Sequence, residues 1–125
     1  MFEIGVVGQF EAAHRLTGDF GPASRLHGHT YRLEASLRGP ELKPDGTLFD
    51  LARLRSVVDA VTLSLNYQDL DALPELASLN TTAEVLADYC WSRIAAGLAV
   101  PAGWRLGIRV WESPQVWAGR EDLLP

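Results

Sequence analysis

Apolar and polar residues alternate with a period of two over the first fourteen positions. Phe2, Ile4, Val6, Phe10, Ala12 and His14 share one parity, with Glu3, Gln9, Glu11 and Arg15 on the other. That is the pattern of a strand with one buried face. Gly5 and Gly8 offer places for a bulge, so the alternation leaves the phase between Val6 and His14 open. Gly18 to Ser24 reads as a loop. A second, cleaner alternation follows, with His29, Tyr31, Leu33, Ala35 and Leu37 against Thr30, Arg32, Glu34, Ser36 and Arg38. It predicts a strand pairing antiparallel with the first.

After a turn region from Gly39 to Gly46 the period changes to that of a helix. Asp50 is placed to cap it, and Leu54, Val57, Val58, Val61 and Leu65 supply its apolar stripe. Asn66 to Leu79 reads as a connection. A second helix is expected from Thr81, where Thr81-Thr82-Ala83-Glu84 fits a capping box. It runs through Leu86, Cys90, Ile94 and Leu98 before Pro101 and Gly103. Trp104, Leu106, Ile108, Val110 and Glu112 then form one strand face, and a short strand near Gln115 to Arg120 forms a hairpin with it across Ser113-Pro114. The order β-β-α-α-β-β predicts an α+β domain over residues 1–125, an antiparallel sheet with two helices on one face.

Composition narrows the function. At 125 residues, 47% hydrophobic and 22% charged, the chain has the make-up of one soluble globular domain. Its net charge of −5 argues against nucleic acid as a partner. The lack of a spanning apolar run or a signal-peptide pattern leads us to expect no membrane partner. A single cysteine fits a reducing, cytoplasmic setting.

The candidate chemistry lies in the histidines. There are three, and all fall on the apolar parity of the first two strands. His27 and His29 point the same way, with Cα atoms roughly 7 Å apart, and His14 on the partner strand supplies a third nitrogen. Three neutral imidazoles suit Zn²⁺ and leave a coordination position open. A lone histidine near an apolar face is usually just a hydrogen-bonded core residue; the shared phase of all three favours a metal site. Glu112 is the second anomaly, a carboxylate ending an apolar strand face. Either the strand emerges into solvent there, or Glu112 pairs with an arginine, or it accepts two N–H bonds from a guanidine-like heterocycle edge. Arg15 and Arg25 flank the histidines, as solvated surface residues or as contacts for a phosphate tail.

Four segments carry a resemblance to a known family. Phe10-Glu11-Ala12-Ala13-His14-Arg15-Leu16, Leu26-His27-Gly28-His29-Thr30-Tyr31, Thr81-Thr82-Ala83-Glu84-Val85-Leu86-Ala87 and Val110-Trp111-Glu112-Ser113 are similar, in order, to the 6-pyruvoyl-tetrahydropterin synthases and the related 6-carboxytetrahydropterin synthases. The resemblance implies the T-fold, assembled into a β-barrel as a homo-oligomer, a trimer or a dimer of trimers. It implies zinc on His14, His27 and His29, a pterin-like ligand held by Glu112, and contacts from Thr81 and Thr82 to a neighbouring subunit's pterin, beside their simpler role as helix caps.

The chain also departs from the family. The catalytic cysteine four residues before the HGH motif is replaced by Ala23, and Ser24 next to it is a poor base. Cys90 is expected on the buried face of the second helix. The family's Leu-Asp-His motif corresponds to Leu65-Asn66-Tyr67. Tyr67 remains able to donate a proton, and Asp69 and Asp71 are candidates for a displaced carboxylate. Loss of a general base typically costs 10²–10⁴-fold in rate. The sequence therefore points to a zinc-dependent, lyase-type enzyme acting on a dihydropterin with a variant acid–base set. The alternative is a zinc-containing pterin- or purine-binding module without turnover.

Overall fold

The computed structural model describes all residues, Met1–Pro125. Strand β1, Phe2–His14, pairs antiparallel with β2, His27–Gly39. The ladder runs unbroken from Phe2 opposite Gly39 to His14 opposite His27. No bulge occurs at Gly5 or Gly8, so the parity read from the sequence holds to the end of the strand. Gly8 serves packing instead. A Cβ there would lie 2.8 Å from Thr62 Cγ2 and 3.3 Å from Val58 Cγ1, so its lack of a side chain lets a helix rest directly on β1.

That helix is α1, Leu51–Leu65, capped by Asp50, whose side chain accepts hydrogen bonds from the N–H groups of Ala52 and Arg53. Its buried face is the expected stripe of Leu54, Val57, Val58, Val61 and Leu65, with Thr62 added. The connection after α1 contains an element that periodicity does not reveal. Gln68–Asp69 form a two-residue strand, β3, parallel to β1 at Ala12 and Ala13. The chain enters it through Tyr67, the one non-glycine residue with positive φ, at 56°. Asn66 accepts a hydrogen bond from the Glu11 N–H at 2.9 Å, and Tyr67 donates its N–H to the Glu11 carbonyl.

Helix α2 covers Ala83–Ala96. Its N-cap is Thr82, whose hydroxyl oxygen accepts from the Val85 N–H at 3.2 Å, one residue later than the expected capping box. The reason is tertiary: the Thr81 side chain is turned into the core and bonded to Asp71. Glu84 is exposed in the first turn, where its charge suits the helix dipole. The helix stops at Ala96, short of the expected Leu98, with Gly97 as the C-cap. Strand β4, Arg105–Ser113, and β5, Val116–Leu123, form the expected hairpin. β5 is longer than its sequence pattern suggests, and a register shift falls between Trp111 and Ser113.

The sheet order is β3-β1-β2-β4-β5, a mostly antiparallel α+β arrangement with β3 and β5 as edges. α1 lies over β1, and α2 over β4 and β5. Phe10, Tyr31, Leu33, Leu37, Leu106, Ile108 and Val110 meet the helices in one core. Each fully buried leucine there contributes about 1.5–3 kcal/mol. Phe10 and Tyr31 stack at 4.8 Å. The opposite face is polar, with ion pairs from Arg32 to Glu34 and from Arg38 to Glu3 and Glu121. No helix is long and apolar enough to cross a membrane.

Candidate active site

The antiparallel register brings the three histidines together. His14 ends β1 and stands directly opposite His27, which begins β2; His29, two residues on, stands opposite Ala12. All three side chains follow the core parity. The ring centroids are 4.6 Å apart for His14 and His27, 5.1 Å for His14 and His29, and 4.8 Å for His27 and His29. One ligand nitrogen from each lies within 4.8 Å of the others. His14 is buried, and the other two are half-buried.

Two of the rings are held in a defined tautomer. His14 Nδ1 lies 2.8 Å from the Thr81 carbonyl oxygen, and His27 Nδ1 lies 2.7 Å from the Arg25 carbonyl oxygen. A carbonyl can only accept, so each Nδ1 carries the proton and each Nε2 presents its lone pair. Burial lowers the pKa of His29 below its usual value, against the opposing pull of the Glu112 charge. Burial thus favours the neutral form that a metal requires. Three neutral imidazoles with two orienting carbonyls are a suitable donor set for Zn²⁺. Nitrogens on a tetrahedral ion stand roughly 3.4 Å apart, so the rings need only draw together slightly.

Tyr31 belongs to this cluster, although its place in the strand pattern marks it only as a core aromatic. Its hydroxyl donates to His14 Nε2 at 3.3 Å, and its ring lies 5.2 Å from that of His29. Burial, reinforced by the Glu112 and Asp71 charges, pushes its phenol well above the ordinary range. It is therefore a hydrogen-bond donor here and not a base. The available signal was its spacing, two residues beyond His29 on the same face.

Glu112 lies at the register shift of β4, half-buried and close enough to His29 and Tyr31 to act on both electrostatically. It makes no ion pair with any arginine. Of the three readings its sequence position left open, pairing with arginine is thus removed.

Thr81 is fully buried. Its hydroxyl donates to Asp71 Oδ1 at 2.8 Å, and its oxygen lies 3.3 Å from His14 Nδ1. Asp71 Oδ2 accepts from the Arg15 N–H at 2.9 Å. Asp69 Oδ1 accepts from the Asp71 N–H at 3.0 Å, so Asp69 caps the short helical turn Leu70–Ala72. Tyr67 is 82% exposed. With Asp69 it borders a hollow of about 440 Å³ that takes in Glu11, Ala13, Gly28 and Thr30, on the parity opposite to the histidines, and also reaches His29 and Ala12. The structure therefore brings His14, His27 and His29 together, links His14 through Thr81 to Asp71 by hydrogen bonds, places Glu112 nearby, and sets Tyr67 and Asp69 at the sheet edge.

Ala23 sits in a short helical turn, Gly21–Ser24, where its carbonyl accepts from the Leu16 N–H at 2.9 Å. It brings no acid or base. The Ser24 hydroxyl is occupied, donating to the Gly18 carbonyl at 2.8 Å and accepting from the Phe20 N–H at 3.3 Å. Cys90 is fully buried, as expected from its helix position, and burial pushes its thiol up to about 12. Arg15 and Arg25 are exposed and form no ion pair.

Comparison with known proteins fits this geometry. The chain is 34% identical over 89 residues to the dihydroneopterin monophosphate aldolase of Pyrococcus furiosus, covering 71% of each chain. It is 29% identical over 136 residues to the 6-carboxy-5,6,7,8-tetrahydropterin synthase of Haemophilus influenzae, covering 91% of this chain and 94% of the relative. The structure superposes on 6-pyruvoyl tetrahydropterin synthase of Caenorhabditis elegans with a TM-score of 0.86 at 24% identity, over 97% of this chain and 95% of that one. The profile of the 6-pyruvoyl tetrahydropterin synthase family matches residues 3–122, and the chain belongs to that family.

Proposed function

We propose that this protein is a zinc-dependent, lyase-type enzyme that cleaves the side chain of a dihydropterin, using an acid–base set different from that of the synthases it resembles. One observation carries the reading: three histidines converge, two with their Nδ1 protons committed to backbone carbonyls. His14, His27 and His29 would hold Zn²⁺, which when bound polarises a substrate hydroxyl. Glu112, free of any ion pair, accepts two N–H bonds from the pterin ring edge and fixes its orientation. Ala23 offers no group to take a proton from carbon. Both Asp71 oxygens are bonded, while Asp69 spends only one as a cap, which leaves Tyr67 as the candidate acid with the second Asp69 oxygen beside it. A relative named as an aldolase of dihydroneopterin monophosphate at 34% identity is consistent with cleavage, and a 6-pyruvoyl tetrahydrobiopterin synthase at 33% matches equally well, so the missing base at Ala23, not identity, favours cleavage. The exposed edges β3 and β5 support assembly into a homo-oligomer, since unpaired edges invite pairing.

The test is to incubate zinc-loaded protein with dihydroneopterin monophosphate and, separately, with the triphosphate, and to follow the products. The expected product is a shortened pterin with a phosphorylated two-carbon aldehyde. Release of triphosphate with internal redox would show a synthase instead. A second reading, a binding module without turnover, is favoured by the missing base at Ala23; pterin binding with no product from either substrate would establish it. Under the main reading, Ala23→Cys combined with Asn66→Asp and Tyr67→His raises synthase activity.

A further inference from the structure

We infer that Asp71 and Thr81 are positioning residues for the metal site, forming a closed ring of hydrogen bonds that fixes the orientation and tautomer of His14. This rests on the metal-site reading above and assigns these two residues roles different from general base and pterin contact. The ring can be traced atom by atom. His14 Nδ1–H donates to the Thr81 carbonyl at 2.8 Å, with the Thr81 hydroxyl oxygen a second acceptor at 3.3 Å. The Thr81 hydroxyl donates onward to Asp71 Oδ1 at 2.8 Å. Asp71 Oδ2 accepts from the N–H of Arg15, the residue after His14, at 2.9 Å. The ring thus closes on the same strand end from which it began.

Three features favour positioning over contact with a ligand. Thr81 has no solvent exposure, and both its carbonyl and its hydroxyl are used within the ring, so its side chain is committed to Asp71 and His14 and not to a substrate. Asp71 has one donor on each oxygen and its own N–H held by Asp69, which fixes the carboxylate in place. An anchored carboxylate acting through a hydroxyl polarises the Nδ1–H donor and makes the opposite nitrogen a better ligand, as outer partners of metal-binding histidines do. Next to it, Asn80 and Thr17 exchange two hydrogen bonds. The segment before α2 is thus clamped to the end of β1 at the point where His14 must be held.

The experiment compares the full-length protein with Thr81→Val, Thr81→Ser and Asp71→Ala. Zinc affinity is measured by competition with a chromophoric chelator, and the His14 ring nitrogens are followed by ¹⁵N NMR in metal-free protein. Thr81→Val and Asp71→Ala are expected to weaken zinc binding by about 10- to 100-fold and to shift the His14 ring-nitrogen resonances as the ring loses its second acceptor and its anchor, while Thr81→Ser keeps both properties at the wild-type level. His27→Ala removes a ligand itself and serves as the control for the site. If the wild type takes up no zinc, the metal-site reading falls and the inference with it. If the wild type binds zinc and His27→Ala does not, but Thr81→Val and Asp71→Ala bind as tightly as wild type with an unchanged His14 spectrum, the ring is only a staple and the inference alone is overturned. Should Thr81→Val fail to fold, the contrast between Asp71→Ala and Thr81→Ser decides the question by the same readouts.

Discussion

Tyr31→Phe separates two demands on one lone pair. The Tyr31 hydroxyl donates to His14 Nε2 at 3.3 Å, and Nε2 is the nitrogen left for a metal once Nδ1 is committed to Thr81. Zinc binding must therefore displace this hydroxyl from its acceptor. Tyr31 is fully buried, so water does not readily replace the lost partner, and a buried donor left unsatisfied costs about 1–3 kcal/mol. The bond is long and between neutral groups, which puts the cost near the low end, about 1 kcal/mol. Phenylalanine keeps the stacking on Phe10, at 4.8 Å, and has no hydroxyl to displace. Tyr31→Phe should then bind zinc about five-fold more tightly, by the conversion of 1.4 kcal/mol per factor of ten. Chelator competition at constant pH measures this directly, and chemical denaturation of the metal-free form should show a loss of about 1 kcal/mol for the missing hydrogen bond. A variant that binds zinc more weakly than wild type would refute the reasoning, because the hydroxyl would then be supporting the bound state.

Three further outcomes follow from individual contacts. Gly8→Ala places a methyl group 2.8 Å from Thr62 Cγ2 and should cost about 1–3 kcal/mol in urea unfolding; adding Thr62→Ser, which removes that carbon, should recover most of it, and an unaltered midpoint for Gly8→Ala would show that α1 does not press on β1 there. Glu112→Gln keeps the shape but gives up the charge. At about 1.5–3 kcal/mol for a charge-assisted hydrogen bond, pterin affinity should fall roughly ten- to a hundred-fold in a fluorescence titration with zinc content unchanged, and undiminished affinity would remove Glu112 from the binding site. Cys90, whose thiol is raised to about 12 by burial, has almost no thiolate at pH 8; a disulfide-exchange reagent should leave the native protein unlabelled and react promptly once it is unfolded, whereas rapid native labelling would contradict the placement of α2.

The elements that bury one regular face were legible in the sequence. β1, β2, α1 and the core of β4 follow from spacing alone, and the same period of two put His27 and His29 on one face; Gly5 and Gly8 left the phase of His14 open until the unbroken ladder fixed it. Elements governed by long-range hydrogen bonds were not. β3 has two polar residues and no apolar face; it exists because Asn66 and Tyr67 bond to the backbone of Glu11, 55 and 56 positions away in the chain. The cap of α2 moved from Thr81 to Thr82 for a similar reason, since Asp71, ten residues upstream, takes the Thr81 hydroxyl. Local propensity ranks the two threonines equally, and only the fold distinguishes them. Tyr31 was visible as a residue but not as a partner of His14, because an aromatic side chain on a buried strand face usually serves packing alone.

The distribution of used and unused polar groups bears on which reaction suits this site. Synthase chemistry begins with removal of a proton from carbon, a step that needs a strong, well-placed base. Ala23 supplies none, the Ser24 hydroxyl is held by Gly18 and Phe20, and the Asp71 carboxylate is held by Thr81 and Arg15. Side-chain cleavage makes a different demand. It begins with transfer of a proton from a hydroxyl to solvent water, a weaker demand than deprotonating carbon because a hydroxyl is the stronger acid, and more so when polarised. The carbon–carbon bond then breaks, and its electron pair, delocalised into the pterin ring, must be capped by a proton. That last step needs an acid rather than a base, and the exposed Tyr67 phenol has an O–H to donate. The proposed cleavage therefore asks of these residues what they can provide, and the synthase reaction asks for what they lack. Tyr67→Phe makes the argument testable. It should lower the turnover number for side-chain cleavage by about 10²–10⁴-fold while leaving zinc and pterin affinity unchanged, and cleavage that proceeds at the wild-type rate would move the acid to another residue.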